Sequence, residues 1–258
     1  MDYETILLDI TDQLATVTLN RPTHKNALTT LMRAEITDVI KYAAGHARAI
    51  VITGAGGAFC SGQDIGGDMK QASEDAERIH RDEYEPMVRA IYDCPVPTMA
   101  AVDGACAGAG VSLALACDVV IASENAIFMQ AAARIGLMPD AGSTYLMPRQ
   151  MGIAKAMGAA LFADPITAEQ ASSWGLIYEV VPAAKYDAHW HARATALAHG
   201  PTESYKRIKK AIHGSLDRSL DEQLELESRY QGECAATRDF KEGVLAFSQK
   251  RAAKFEGR

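Results

Sequence analysis

Residues 103–123, DGACAGAGVSLALACDVVIAS, constrain the fold more than any other stretch of this chain. Three glycines at positions 104, 108 and 110 permit a close approach of backbone to backbone or to a ligand, and the apolar run after them is typical of a buried helix. The first amides of a helix have no acceptor within it and lie at the positive end of its dipole. The segment therefore predicts a glycine-rich turn that opens a buried helix. The amides of Ala109 and Gly110 are candidate donors to an anion or to a carbonyl oxygen that gains negative charge.

Two other interpretations of this segment stay open from its residues alone. Gly108 and Gly110 resemble part of a dinucleotide-binding motif, but Leu113 stands where the third glycine is required. Close helix packing by itself also selects glycine and alanine. The segment does not decide between packing and anion binding.

Composition narrows the classes of function. The chain has 258 residues, 48% of them hydrophobic, so it can bury a large core. A formal net charge of −7 without a long basic run gives no attraction to nucleic acid or to an anionic membrane. Five scattered cysteines without a CxxC pair indicate reduced thiols. The acidic start lacks the order of a signal peptide, no run is long enough for a membrane span, and no cluster has metal-ligand spacing. We expect a cytoplasmic protein that binds neither nucleic acid, membrane nor metal.

Short β-rich runs alternate with glycine turns and helical patterns, and this repetition predicts a stacked, partly parallel α/β core of strand-strand-helix units. The polar segment 70–89 is expected to be a mobile, largely exposed helix. The dipeptide Gly200-Pro201 divides the predicted core, residues 1–200, from a helical region, residues 201–258. The predicted strands are 5–10, 15–19, 49–53, 98–102, 118–122, 126–130 and 177–181, and the predicted helices are 28–44, 70–89, 111–116, 152–162, 167–174, 183–199, 202–213, 219–232 and 237–251.

A set of motifs distributed over nearly the whole chain carries a family resemblance. They are RP at 21–22 with NAL at 26–28, AFCSGQDI at 58–65, residues 103–118, IGLMPDAG at 135–142, VP at 181–182, and KR at 250–251 with Phe255. In this order they resemble the crotonase superfamily of enoyl-CoA hydratases and isomerases, and most closely its 1,2-epoxyphenylacetyl-CoA isomerase branch. The resemblance implies an α/β, ClpP/crotonase-like spiral of ββα units. It also implies that the C-terminal helices form a homotrimer or a dimer of trimers.

The resemblance also implies a site for an acyl-CoA thioester. In this superfamily two backbone amides hold the thioester oxygen as an enolate forms, and here they would belong to Ser61 and Ala109. No cofactor beyond the CoA moiety of the substrate is implied. The residues expected to bind substrate or CoA are Lys25, Ala27, Leu28, Gly62, Gln63, Asp64, Ile65, Gly108, Lys250 and Phe255. The basic members of this set can equally be solvated surface residues.

The expected chemistry departs from that of a hydratase. The two glutamates that a hydratase of this superfamily uses correspond here to Ser112 and Ala132, so the acid and the base for water addition are absent. Asp140 remains, in an apolar stretch directly after a proline, where burial would raise its pKa towards the range useful for proton transfer. In the isomerase branch the corresponding Asp is thought to act in isomerisation. The sequence therefore favours an acyl-CoA isomerase that uses Asp140 as its acid and base.

Several alternatives to this assignment stay open. Asp140 could instead cap the following helix or pair with Arg134 or Arg149. The base could also come from the polar segment, whose carboxylates include Asp68, Glu83 and Glu85. The same enolate-stabilising site could serve hydration, thioester hydrolysis or decarboxylation, or the protein could bind acyl-CoA without catalysis.

Overall fold

A computed structural model describes residues 2–66 and 76–258. The strands in these residues form one sheet in the order β1-β2-β3-β5-β7-β10 and a second in the order β4-β6-β8-β9. Their bounds are β1 (Ile6–Thr11), β2 (Leu14–Leu19), β3 (Ala49–Gly54), β4 (Ala58–Cys60), β5 (Thr98–Val102), β6 (Ala105–Ala107), β7 (Val119–Ser123), β8 (Ile127–Met129), β9 (Ile166–Thr167) and β10 (Glu179–Val181).

The first two strands form the predicted antiparallel hairpin, in which Ile6 lies opposite Leu19. Asp12 and Gln13 make its turn with positive φ angles of 50° and 67°, the backbone form of a two-residue hairpin turn. From β2 onward all neighbours in the larger sheet are parallel. Parallel neighbours require crossover connections, so the chain leaves the sheet after each strand and returns through other elements.

The helices follow the predicted order, but the helix predicted over 152–162 begins nine residues earlier, at Ser143, and the described part of the helix predicted over 70–89 is divided into two. They are α1 (Thr30–Ala44), α2 (Ala76–Ile79), α3 (Glu85–Tyr92), α4 (Ala109–Leu115), α5 (Ser143–Phe162), α6 (Ala168–Ser173), α7 (Ala183–Ala198), α8 (Thr202–His213), α9 (Leu220–Ala235) and α10 (Arg238–Ser248). A π-helical turn, His80–Tyr84, joins α2 to α3. Short 3₁₀ turns occupy Pro22–His24, Ala131–Ile135 and Ser215–Asp217.

The predicted strand-strand-helix unit recurs through the middle of the chain. The pair β3 and β4 precedes α2 and α3, the pair β5 and β6 precedes α4, and the pair β7 and β8 precedes α5. In each pair the first strand belongs to the larger sheet and the second to the smaller one. The chain therefore advances as a spiral of ββα units, which confirms the predicted fold class.

The polar segment 70–89 differs from its prediction. Its residues 70–75 lie outside the described part of the chain. In the remainder, Tyr84 and Met87 are fully buried, and α3 packs against α1. The prediction of a largely exposed helix was wrong here because apolar residues recur at 84, 87, 88 and 91, which places them on one face of the helix among many charged neighbours.

The C-terminal helices pack onto the rest of the chain through α8. The Lys209 ammonium is buried, donates to the carbonyls of Cys94 and Val96 at 2.8 and 2.9 Å, and pairs with Asp118 at 2.7 Å. A buried cation of this kind requires such partners. The division of the chain into domains at residue 200 stays a prediction.

Two further predictions concern the class of protein. The five cysteines are unpaired, as their scattered positions indicated. Among the described residues, no helix has both the length and the apolar character needed to cross a lipid bilayer.

Candidate active site

The end of β4 and the start of α4 meet through their backbones. A Cβ added to Gly110 would overlap the carbonyl oxygen of Cys60, and one added to Gly62 would lie 2.8 Å from the carbonyl oxygen of Ala107. Gly62 also has a φ of +96°, a conformation that side chains disfavour. Close packing is therefore one reason for the glycines of this segment. It also brings the loop after β4 against the first turn of α4.

Two backbone amides at this junction have no backbone acceptor in the described chain. Ala109 is the first residue of α4, so its amide has no acceptor within the helix. Gln63 lies opposite Leu28 in a parallel bridge, where the hydrogen bonds run from Leu28 to the carbonyl of Gly62 and from Asp64 to the carbonyl of Leu28, at 2.8 and 3.1 Å. The amide of Gln63 itself is not used in this bridge. Gly62 joins the two, because a Cβ on it would lie 3.5 Å from the Ala109 nitrogen.

The geometry is at odds with the prediction that Ser61 is an oxyanion donor. Its amide donates to the carbonyl of Lys25 at 2.9 Å, so the hydrogen is already engaged. The amide of Gln63, two residues along the chain, is the one without an acceptor, and we infer that it takes the place of Ser61 beside Ala109.

Asp140 is held on α4 by its own backbone. Its carbonyl accepts hydrogen bonds of 2.9 Å from the hydroxyl of Ser112, the hydroxyl of Ser143 and the amide of Ser143. Ser112 is fully buried and lies three residues after Ala109. The residue that replaces one expected glutamate thus fixes the position of the remaining carboxylate. Ala132, on the 3₁₀ turn Ala131–Ile135, carries no functional group.

The Asp140 carboxyl group is largely buried, with 24% of its side chain exposed. Burial raises its pKa above the ordinary value, and this effect is opposed by the neighbouring His80. The carboxylate does not cap α5, since no side chain caps that helix. Arg149 instead pairs with Asp217 at 3.3 Å. The Asp140 side chain therefore neither caps α5 nor pairs with Arg149. Only the backbone carbonyl of Asp140 accepts hydrogen bonds from the first turn of α5.

His80 is a site residue that the sequence analysis missed. Its Nε2 lies 3.5 Å from Oδ2 of Asp140, and its ring lies 5.1 Å from that of Tyr84 between centroids. Both aromatic residues belong to the π-helical turn. This rare helix type, which is common at functional sites, leaves no clear trace in a sequence pattern.

The other carboxylates considered as bases do not meet Asp140. Glu83 receives hydrogen bonds from Arg33 and Arg78. Although burial would raise its pKa, these arginine contacts hold it below the ordinary value. Glu85 is half exposed and pairs with Arg89 at 2.8 Å. Asp68 lies outside the described residues.

The loops predicted to bind CoA lie side by side. The bridge between Leu28 and Gln63 joins them, and Ala27 and Leu28 are buried. Lys25 is exposed and has a left-handed backbone conformation, φ 49°. No acidic side chain within residues 2–66 and 76–258 pairs with its ammonium group. It is therefore available to a phosphate group.

Asp64 has a structural role in this loop. Its carboxylate pairs with Arg21 at 2.8 Å and accepts from the Gly66 amide at 3.0 Å. Burial opposes ionisation, but these bonds hold the pKa of Asp64 below its ordinary value. The next residue, Ile65, is exposed. Gly108, predicted to contact substrate, precedes α4 and donates to the carbonyl of Met129 at 2.8 Å.

The C-terminal residues predicted to bind CoA, Lys250 and Phe255, lie apart from these loops in the described part of the chain. The carbonyl of Phe255 accepts from Arg48 at 3.0 Å, and its ring lies close to Gly243 of α10. Lys250 is exposed after the end of α10. Within the described ranges, no hydrogen bond or ring contact joins Phe255 to Lys25 or to Gln63.

Comparisons with known proteins identify the family of this chain. The sequence pattern of the enoyl-CoA hydratase/isomerase family matches residues 9–258. A protein of Rhodobacter capsulatus named probable enoyl-CoA hydratase is 54% identical over 258 residues, all of both chains. The 1,2-epoxyphenylacetyl-CoA isomerase of Escherichia coli is 38% identical over 264 residues, 99% of each chain.

A solved structure gives the same result for the fold. An enoyl-CoA hydratase from Polaromonas sp. JS666 superposes with a TM-score of 0.90 at 29% identity, and covers 97% of this chain and 99% of its own. The ββα spiral is therefore the crotonase fold. By its sequence pattern, its close relatives and its fold, this chain belongs to the enoyl-CoA hydratase/isomerase family.

Proposed function

We propose that this protein is an acyl-CoA isomerase that moves a proton through a thioester enolate. Asp140 is the acid and base, and the amides of Gln63 and Ala109 bind the enolate oxygen. One observation carries the proposal. The hydroxyl of Ser112 on α4 donates to the backbone carbonyl of Asp140, so the residue with the largely buried carboxylate is attached to the helix whose first amide has no acceptor. The proton acceptor and the oxyanion donor are thereby fixed relative to each other.

The proposed reaction needs only one carboxylate. With a 3-enoyl thioester, ionised Asp140 takes a proton from the α-carbon, and the electron pair moves to the thioester oxygen to give a dienolate. The two amides stabilise the negative charge on that oxygen; such a donor is worth about 3 kcal/mol. Protonated Asp140 then delivers the same proton to the γ-carbon, so the double bond moves next to the carbonyl and the carboxylate is regenerated.

Hydration is the second candidate, because the relative at 54% identity is named a hydratase. Adding water requires one group to activate the water and another to place a proton on the α-carbon. Ser112 already donates its hydroxyl to Asp140, and Ala132 has no polar group. Water addition would therefore depend on Asp140 alone, which favours isomerisation.

The proposal is tested by assays of the purified protein with three thioesters: crotonyl-CoA, a 3-enoyl-CoA and ring-1,2-epoxyphenylacetyl-CoA. We expect turnover of the second or third and little hydration of the first. Rapid hydration of crotonyl-CoA without isomerisation would favour the hydratase. Release of free CoA would indicate thioester hydrolysis. Decarboxylation would be detected only with a malonyl-type thioester, as release of carbon dioxide. Binding by calorimetry without any turnover would leave only an acyl-CoA-binding protein.

The assignment of the oxyanion donors has its own test. Replacement of the amide of residue 63 by an ester removes one N–H, and we expect kcat to fall about 100-fold or more. The same replacement at Ser61 removes the bond to Lys25 and should cost about 1 kcal/mol of stability with little change in kcat. The reverse pattern would restore Ser61 as the donor.

The CoA moiety and the assembly complete the proposal. We expect Lys25 and the loops around Leu28 and Gln63 to hold the CoA, with no other cofactor, and Lys250 and Phe255 to reach the nucleotide from a neighbouring subunit. We keep the prediction that the protein is cytoplasmic.

An apolar groove of about 1020 Å³ between α8, α9 and α10 exposes Ile208, Ile212, Leu224, Phe240 and Val244. Exposed apolar surface of this extent is typical of an interface between subunits. The family resemblance implies that this interface forms a homotrimer or a dimer of trimers, and we expect sedimentation to show one of these assemblies.

A further inference from the structure

We propose that His80 is a positioning residue for Asp140: its Nε2 faces one oxygen of the carboxylate and holds the group in place, so that the other oxygen can accept a proton. This inference deepens the proposed isomerase and rests on it for its kinetic part. Its electrostatic part concerns only the two side chains and can be tested without any substrate.

The geometry of the pair is directional. Nε2 of His80 lies 3.5 Å from Oδ2 of Asp140, and the structure shows no polar contact of Oδ1 with another described residue. One carboxylate oxygen is therefore held, while the other is left to exchange a proton with substrate. A separation of 3.5 Å is longer than a strong hydrogen bond, as is common in catalytic sites without substrate.

The second ring nitrogen of His80 argues against a purely structural role. Nδ1 is buried and has no hydrogen-bond partner among the described residues. A histidine that serves only the fold normally uses its buried nitrogens, because an unsatisfied buried polar atom costs about 1–3 kcal/mol. In the described structure Asp140 is thus the sole polar partner of this imidazole.

The π-helical turn explains why His80 is directed at Asp140. The turn His80–Tyr84 adds a residue between α2 and α3, and the ring of Tyr84 lies at 34° to that of His80. Tyr84 is anchored by its burial and by the guanidinium of Arg33, 4.6 Å from its ring centre. The imidazole therefore rests on a fixed surface.

No other described group supplies a free cation to Asp140. The Arg33 guanidinium, on α1, is paired with Glu83, and Arg78, on α2, donates to the same carboxylate. Tyr84 is neutral because burial raises its pKa. On β4, burial raises the pKa of Cys60 to about 12, so this thiol is also neutral. Among the described residues, the basic side chain that faces the carboxylate is that of His80.

The consequence is a balance between burial and charge. Burial favours the protonated acid, which cannot accept a proton from carbon, whereas a neighbouring cation favours the carboxylate. Without His80 a larger fraction of Asp140 would be protonated in the pH range where this carboxyl group titrates. The effect must disappear at high pH, where Asp140 is fully ionised with or without His80.

The direct test is a pH titration of the Asp140 carboxyl group by carbon-13 NMR in protein labelled at aspartate, with D140N used to assign the signal. In H80Q we expect the titration midpoint to rise by about one pH unit or more. In H80R, which keeps a cation, it should not rise. A midpoint unchanged in H80Q would overturn the proposal. An equal rise in H80Q and H80R would also overturn it, since it would report lost packing and not lost charge. H80N provides a second neutral variant, and circular dichroism checks that each variant is folded.

The kinetic test uses whichever thioester the wild type isomerises. In H80Q the acid limb of kcat/KM should move to higher pH and converge with the wild type at alkaline pH. On that limb we expect about a tenfold loss of activity for each pH unit by which the limb moves. H80R should restore the acid limb. An equal loss at every pH would indicate a structural role and overturn the proposal. If the wild type isomerises none of the thioesters, the proposed function fails, while the NMR titration still decides the role of His80.

Discussion

The amide side of the candidate site is built from backbone, whereas its carboxylate side is built from side chains of distant segments. Gly62 and Gly110 let β4 and α4 touch, which leaves the amides of Gln63 and Ala109 at one junction. Asp140 depends on Ser112 for its position and faces His80. In the proposed mechanism the amide side stabilises the enolate, and the carboxylate side moves the proton. The carboxylate side is therefore the part of the site on which the proposed choice of reaction depends.

The largest effect is expected for D140N, which tests the carboxylate side of the site. The change keeps the size of the side chain and the carbonyl that Ser112 and Ser143 bind, but removes the proton acceptor. Since acid–base groups contribute 10²–10⁴-fold, we expect kcat to fall about 1000-fold while acyl-CoA affinity changes little. Turnover and calorimetry measure the two quantities separately.

The matched control for D140N is E85Q, which removes a half-exposed carboxylate of the same region and should leave turnover unchanged. Full activity in D140N would refute Asp140 as the base. A large loss in E85Q would show instead that the base comes from the polar segment.

The amide side is tested by G110A. The new Cβ would overlap the carbonyl of Cys60, so β4 and α4 must move apart. Such overpacking typically costs about 1–3 kcal/mol, and a displaced amide should lower kcat about 100-fold. G158A is the matched control, because a Cβ at Gly158 in α5 meets no atom within 4 Å. Denaturant unfolding and turnover of both variants measure the effect. Equal stability and equal turnover of G110A and G158A would show that the site does not depend on the close approach of α4 to the Cys60 carbonyl.

The same division explains what could be predicted from sequence. Glycine spacing and apolar runs depend on local rules, so the strand-strand-helix units and a buried helix directly after the glycines at 104–110 were predicted correctly, although α4 begins at Ala109 and not at the predicted residue 111. The spiral was implied by the family resemblance. The amide of Ser61 was named as a donor and that of Gln63 was not, because the hydrogen bond from Ser61 to Lys25 joins segments far apart in the chain and has no signature in the sequence. His80 was missed because the π-helical turn that directs it has no periodic signature.

A smaller effect is expected for S112A. The change removes one of three hydrogen bonds to the Asp140 carbonyl. We expect kcat to fall about tenfold with KM little changed, because a small displacement of the carboxylate weakens proton transfer but leaves the CoA loops intact. S143A is the matched control: it removes a hydroxyl bond to the same carbonyl, but the Ser143 amide still donates there, so its effect should be smaller. A larger loss in S143A would show that α5, and not α4, positions Asp140.

The smallest expected effect concerns stability. Burial raises the pKa of folded Asp140 above that of the unfolded chain, so the folded protein binds this proton more tightly. Stability is therefore lost as the pH rises from the unfolded pKa through the folded pKa, and at neutral pH the ionised carboxylate is a cost to the fold. D140N carries no charge to bury, so its Tm should exceed that of the wild type at neutral pH and approach it as the pH falls below the unfolded pKa. Thermal unfolding across this range measures the difference. A Tm that is lower in D140N at neutral pH, but equal to that of the wild type at low pH, would mean that His80 more than offsets the burial, and the carboxylate would then stabilise the fold as well as carry the proposed reaction.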